Sequence, residues 1–174
     1  DSAQRAGRLA KTDLVSEMVG EFAELQGFMG GVYSRQKGET ASVAQAVAEH
    51  YLPTGPESAV PSNAEGAVVA LADKADTLVG CFGLDMVPSG ANDPYALRRQ
   101  ALGIIRILLE YGWRLSLRDL LSWAQQAYAK DVQWKSEPGV ALQTLETFFG
   151  HRLKAYFQGR GYGTKIVDAA LGRS

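Results

Sequence analysis

The sequence has one cysteine, Cys81, two histidines, His50 and His151, and six prolines in 174 residues. One thiol cannot close an internal disulfide or assemble a thiolate zinc site, and two imidazoles cannot build a multi-histidine metal centre. So little cysteine favours a reducing cytoplasm. Long apolar runs are missing as well: the stretch around 101–109 is interrupted by Arg106 and falls far short of the ~20 residues that cross a bilayer. The opening DSAQRAGRLAKTD lacks the apolar core of a signal peptide. Neither sign of charge dominates, since 18 Lys and Arg stand against 19 Asp and Glu, and any nucleic-acid contact has to be local. No P-loop, GxGxxG, GxSxG, HExxH or CxxC occurs, so the self-contained catalytic sites that those motifs build are excluded.

What is present is a globular composition, 46% hydrophobic and 21% charged, on a chain long enough to bury a core. Apolar residues recur at helical spacing almost throughout and nowhere alternate for long, which predicts an all-α fold. The predicted helices cover 3–20, 22–36, 40–52, 63–82, 94–111, 116–130, 140–159 and 163–171. In the fourth, Ser62 and Glu65 have capping-box spacing ahead of a stripe running from Ala64 through Val68, Leu71, Ala75 and Leu78 to Phe82. In the fifth, Asp93 suits an N-cap, Pro94 the first helical position and Gly112 the end. KSEPGV at 135–140 is read as the boundary between a helical domain over 1–134 and a C-terminal helical hairpin over 140–174.

His50 falls in line with Val43, Ala46 and Val47, on an apolar face where a histidine bonded to a carbonyl or carboxylate is commoner than a metal ligand. Asp73 lies opposite the main stripe of its helix, among small residues, and a carboxylate placed there calls for a cation, a metal or several donors. Arg98 is a candidate clamp that bonds Asp73 or Asp76, whereas Arg99 and Arg106 are expected on the polar side of their helix. With Arg114 and Arg118 they make 94–118 locally positive. A second basic stretch holds His151, Arg152, Lys154, Arg160 and Lys165, interleaved with Tyr156, Phe157 and Tyr162. That mixture suits phosphate contact with base stacking, and equally a solvated face. Cys81 is expected in the core.

The runs TDLVSEMVGEFAELQGFMGGVYSRQKGE, VAEHYLP, VALADKADTLVGCFGLDMVPSGANDPYALRRQALGIIRILLE and YFQGRGYGTKIVDAAL resemble the β subunit of bacterial-type glycyl-tRNA synthetase. The resemblance implies an internal piece of that larger subunit, comprising its HD-like helical domain and the start of a tRNA-binding helical region. It implies, too, that ATP, with Mg, and glycine are handled by the α subunit. This segment would then be non-catalytic and hold no cofactor, with the α subunit, the rest of β and tRNA-Gly as partners and no membrane. Against the HD pattern, Asp13 resembles the aspartate of the HD pair, His50 a later histidine and Asp73 the final aspartate ligand. Thr12 stands where the pair's histidine belongs, so no metal is expected. A residual metal-dependent phosphohydrolase and a purely structural spacer are the alternatives. The tRNA-contact candidates are Arg99, Arg106, Arg114, Arg118, Arg152, Lys154, Arg160 and Lys165.

Overall fold

A computed structural model describes residues 1–128 and 130–172. Among these residues the fold is all-α, with no strand beyond one isolated bridge between Ser89 and Asn92. The α-helices are α1 (Ser2–Leu9), α2 (Glu17–Glu21), α3 (Phe28–Gln36), α4 (Ala41–Glu49), α5 (Ala64–Gly83), α6 (Leu97–Glu110), α7 (Leu117–Gln126), α8 (Pro138–Gly159) and α9 (Thr164–Ala170). By its contacts the chain groups into two compact units, Asp1–Asp73 and Lys74–Ser174.

In the first unit the single helix predicted over 3–20 is broken. After α1 the chain makes a 3-10 turn over Thr12–Val15, and Ser16 is extended before its hydroxyl caps α2 by accepting from Val19 N. The cause is Asp13, whose buried carboxylate accepts from the Gly27 and Gly30 amides and pulls its own turn inward. Gly27, at φ +80°, delays the next helix until Phe28. Helices α3 and α4 approach so closely that a Cβ on Gly31 would stand 2.7 Å from Ala48 Cβ and 2.8 Å from the Ala44 carbonyl oxygen. Ala6, Ala10, Val43, Ala46, Val47 and Val69 form the core of this unit.

The N-terminus of α5 corrects the capping-box expectation by one residue. Asn63 Oδ1 accepts from Gly66 N at 2.8 Å, while Ser62 donates through both N and Oγ to Glu49. The predicted stripe is buried at Leu71, Ala75, Leu78 and Phe82; Val69 and Ala70 widen it, and Val68 is 46% exposed.

In the second unit Leu78, Phe82, Leu97, Ile104, Ile107, Leu121 and Leu145 are fully buried, and α8 packs against α6, α7 and α9. Asp93 does cap α6, accepting from Leu97 N at 2.7 Å and Arg98 N at 3.0 Å, although the helix starts three residues beyond Pro94. Residues 135–136 are fastened to α5: Lys135 N and Ser136 N both donate to Gly83 O, and the Trp134 ring lies against Gly83. Tyr128 adds a bond from its hydroxyl to Asp76 O at 2.8 Å, and burial pushes its pKa up to about 12. Cys81 is half-buried rather than central, and partial burial raises its thiol pKa.

Candidate functional site

The three positions singled out by resemblance all fall in the first unit, and the structure brings them into one neighbourhood. Asp13 sits in the 3-10 turn, His50 follows α4 directly, and Asp73 lies in α5. His50 is fully buried, with Nδ1 2.7 Å from Val47 O; a carbonyl can only accept, so Nδ1 carries the proton. Nε2 is then a bare acceptor, buried without a hydrogen-bond partner among the described residues, as is Asp13 Oδ1. Burial pushes the His50 pKa down. The Val47 carbonyl opposes that shift, the Lys11 ammonium adds to it, and the Asp73 and Asp13 carboxylates oppose it.

Lys11 is the residue that the sequence did not single out. Its Nζ lies 2.8 Å from Asp73 Oδ1 and 3.9 Å from the centre of the Tyr51 ring, and Tyr51 itself stacks on His50 at 3.9 Å. The cation that Asp73 was expected to need is therefore a lysine supplied by the end of α1. Its only sequence signal is its place two residues before Asp13, and a continuous helix over 3–20 hides it.

This donor set does not fit a metal ion. Asp13 Oδ2 is committed to the Gly27 and Gly30 amides at 2.6 and 3.1 Å, and Asp73 faces an ammonium. No group of three His, Cys, Asp or Glu side chains among the described residues is placed to hold an ion.

The candidate RNA contacts separate into two groups. Arg106 is not on a polar side: it is 7% exposed and bonds Glu110 through Nε at 3.0 Å and Nη2 at 2.8 Å. The reason is that Gly103 to Ile107 are all buried, so α6 has no polar face at that level. Arg118 forms a fork with Glu146, whose carboxyl it holds below the usual range, and Lys154 pairs with Asp168 at 2.6 Å. Arg152 is half-buried, its guanidinium 5.8 Å from the Phe148 ring. Arg98 donates to Gly90 O at 2.9 Å and lies 3.8 Å from Asp93, pinning the loop ahead of its own helix.

Four candidates are exposed and lie outside the ion pairs named above: Arg99, Arg114, Arg160 and Lys165. Arg160 lies 4.6 Å above the Tyr156 ring, and Phe157 meets Tyr162 edge to face at 5.6 Å, with Tyr162 half-exposed. A cation beside accessible aromatic faces is the combination that contacts a phosphate and stacks a base.

Residues 1–172 match the family described as glycyl-tRNA synthetase beta subunit. The chain is similar to the glycine–tRNA ligase beta subunit of Solidesulfovibrio magneticus, 60% identical over 172 residues that make up 99% of this chain and 24% of that protein. It is also similar to the subunits of the same name from Nitratidesulfovibrio vulgaris, 58% identical over 96% of this chain and 24% of the relative, and Desulforamulus reducens, 46% identical over 98% and 25%. It thus spans about a quarter of the length of the relatives it matches. With 172 residues matched along nearly the whole chain, the protein belongs to the glycyl-tRNA synthetase β-subunit family.

Proposed function

We propose that this chain is a non-catalytic helical part of glycine–tRNA ligase, the enzyme that joins glycine to tRNA-Gly at the expense of ATP. In this reading it helps to hold the tRNA and braces the rest of the β subunit, while ATP, with Mg, and glycine are handled by the α subunit. The observation that carries the reading is the family match along residues 1–172. The geometry supports the non-catalytic part, because the Asp13, His50 and Asp73 neighbourhood is closed by Lys11 and by backbone amides. An HD-like ancestry accounts for those three residues lying together. No helix among the described residues is long and apolar enough to cross a membrane, and a cytoplasmic location accords with the lone thiol.

The tRNA contact is assigned to Arg99, Arg114, Arg160 and Lys165, since Arg106, Arg118 and Lys154 are engaged with carboxylates. Binding of tRNA-Gly by the full enzyme, measured across a salt series, tests this. Each phosphate contact removed by substitution to Ala is expected to reduce the slope of log K against log salt by about 1. Unchanged slopes in all four variants would leave the chain as a spacer.

A further inference from the structure

Between Lys11 and Arg35 the chain carries Asp13, Glu17, Glu21 and Glu24 and no basic residue. Asp13 is buried, so the three glutamates are what solvent meets. The same segment leaves large apolar side chains outside: Val15 is 92% exposed, Phe28 61%, Phe22 51%, Leu14 47% and Met18 40%. Single exposed apolar residues are ordinary, but five within fifteen positions make a patch. The 3-10 turn over Thr12–Val15 packs on α2 and on α3, Met18 lies on α2, and Phe22 is the residue that ends that helix.

We propose that this apolar and acidic face docks a basic amphipathic helix, supplied by the part of the β-subunit sequence outside these 174 residues. The apolar side chains would receive the helix stripe, and Glu17, Glu21 and Glu24 would meet lysines or arginines flanking it. The charge disfavours the other occupants. Phosphates of RNA and anionic lipid headgroups are repelled by three carboxylates, and a second copy of the same face would set glutamate against glutamate. The source follows from length: this chain makes up 24% of its relatives, so three quarters of the subunit lies elsewhere. The proposal rests on the family membership and is independent of the tRNA contact.

Photocrosslinking in the reconstituted α and β enzyme tests it, with full-length β carrying Val15→p-benzoylphenylalanine. The expected product is a link within one β chain to a peptide outside these residues, with Lys or Arg bordering apolar residues at helical spacing. Combining Glu17→Gln, Glu21→Gln and Glu24→Gln, all at exposed positions, should lower its yield about fivefold. A link to tRNA, to the α subunit or to a second β chain would overturn the proposal. So would no link in an enzyme that assembles normally, or a yield indifferent to the three glutamines. Aminoacylation by the same samples reports on the tRNA reading separately.

Discussion

Lys11 and Asp73 form a half-exposed ion pair in which the ammonium bonds the acid and also covers an aromatic face. Lys11→Met keeps most of the alkyl stem and removes the charge. Because Lys11 is 44% exposed, the loss is expected to be modest, about 1 kcal/mol, or a drop of about 2–4 °C in Tm. An unchanged melting curve would show that the pair contributes nothing. His50 gives a pH signature. Its pKa is depressed in the folded chain, chiefly by burial, so below the ordinary histidine value the unfolded chain binds the proton that the folded chain refuses. Its contribution is therefore present above about pH 6.5 and is lost as pH falls toward the folded pKa, with a slope of at most about 1.4 kcal/mol per pH unit. His50→Gln should flatten denaturant midpoints between pH 7 and 5; an equally steep variant would assign the slope to other groups. At this scale the sequence was partly legible. His50, Asp13 and Asp73 could be named in advance, but Lys11 could not, because its position depends on a turn that the apolar pattern does not encode.

At the scale of elements, helical periodicity located most helices and missed their interruptions. The predicted helix over 3–20 fails where Asp13 turns inward to meet the Gly27 and Gly30 amides, a long-range bond with no trace in local spacing. Arg106 was misplaced for a related reason, since a helix buried around most of its circumference gives a period-3.6 pattern no polar side to mark. Caps were easier to read: Asp93 acts as its chemistry suggests, and the α5 cap shifted only from Ser62 to Asn63. Two glycines carry close approaches that side chains would block. Gly31→Ala puts a methyl group against Ala48 and the Ala44 carbonyl, forcing α3 from α4, and is expected to cost about 1–3 kcal/mol. Gly83→Ala collides with the Trp134 ring and disturbs the two amides that bond Gly83 O, with a loss of similar size. Urea titration followed by circular dichroism measures both, and wild-type midpoints would contradict the packing described.

At the scale of the whole molecule, the all-α class and the family were legible because both rest on signals spread over the full length. The grouping into Asp1–Asp73 and Lys74–Ser174 rests on contacts, which the turn-rich composition of 135–140 does not report. Local composition suggests boundaries, whereas contacts decide them. The pairing of Arg106, Arg118 and Lys154 with Glu110, Glu146 and Asp168 is likewise visible only in three dimensions. What survives is a compact claim, that Arg99, Arg114, Arg160 and Lys165 hold RNA while the chemistry occurs elsewhere in the ligase. The measurement that tests it most directly is steady-state glycylation of tRNA-Gly by the reconstituted enzyme, wild type against β carrying Ala at those four positions. The expected result is a tRNA KM raised at least about tenfold with unchanged glycine-dependent ATP–pyrophosphate exchange. An unaltered KM, or a loss of the exchange reaction itself in a folded and assembled enzyme, would contradict it.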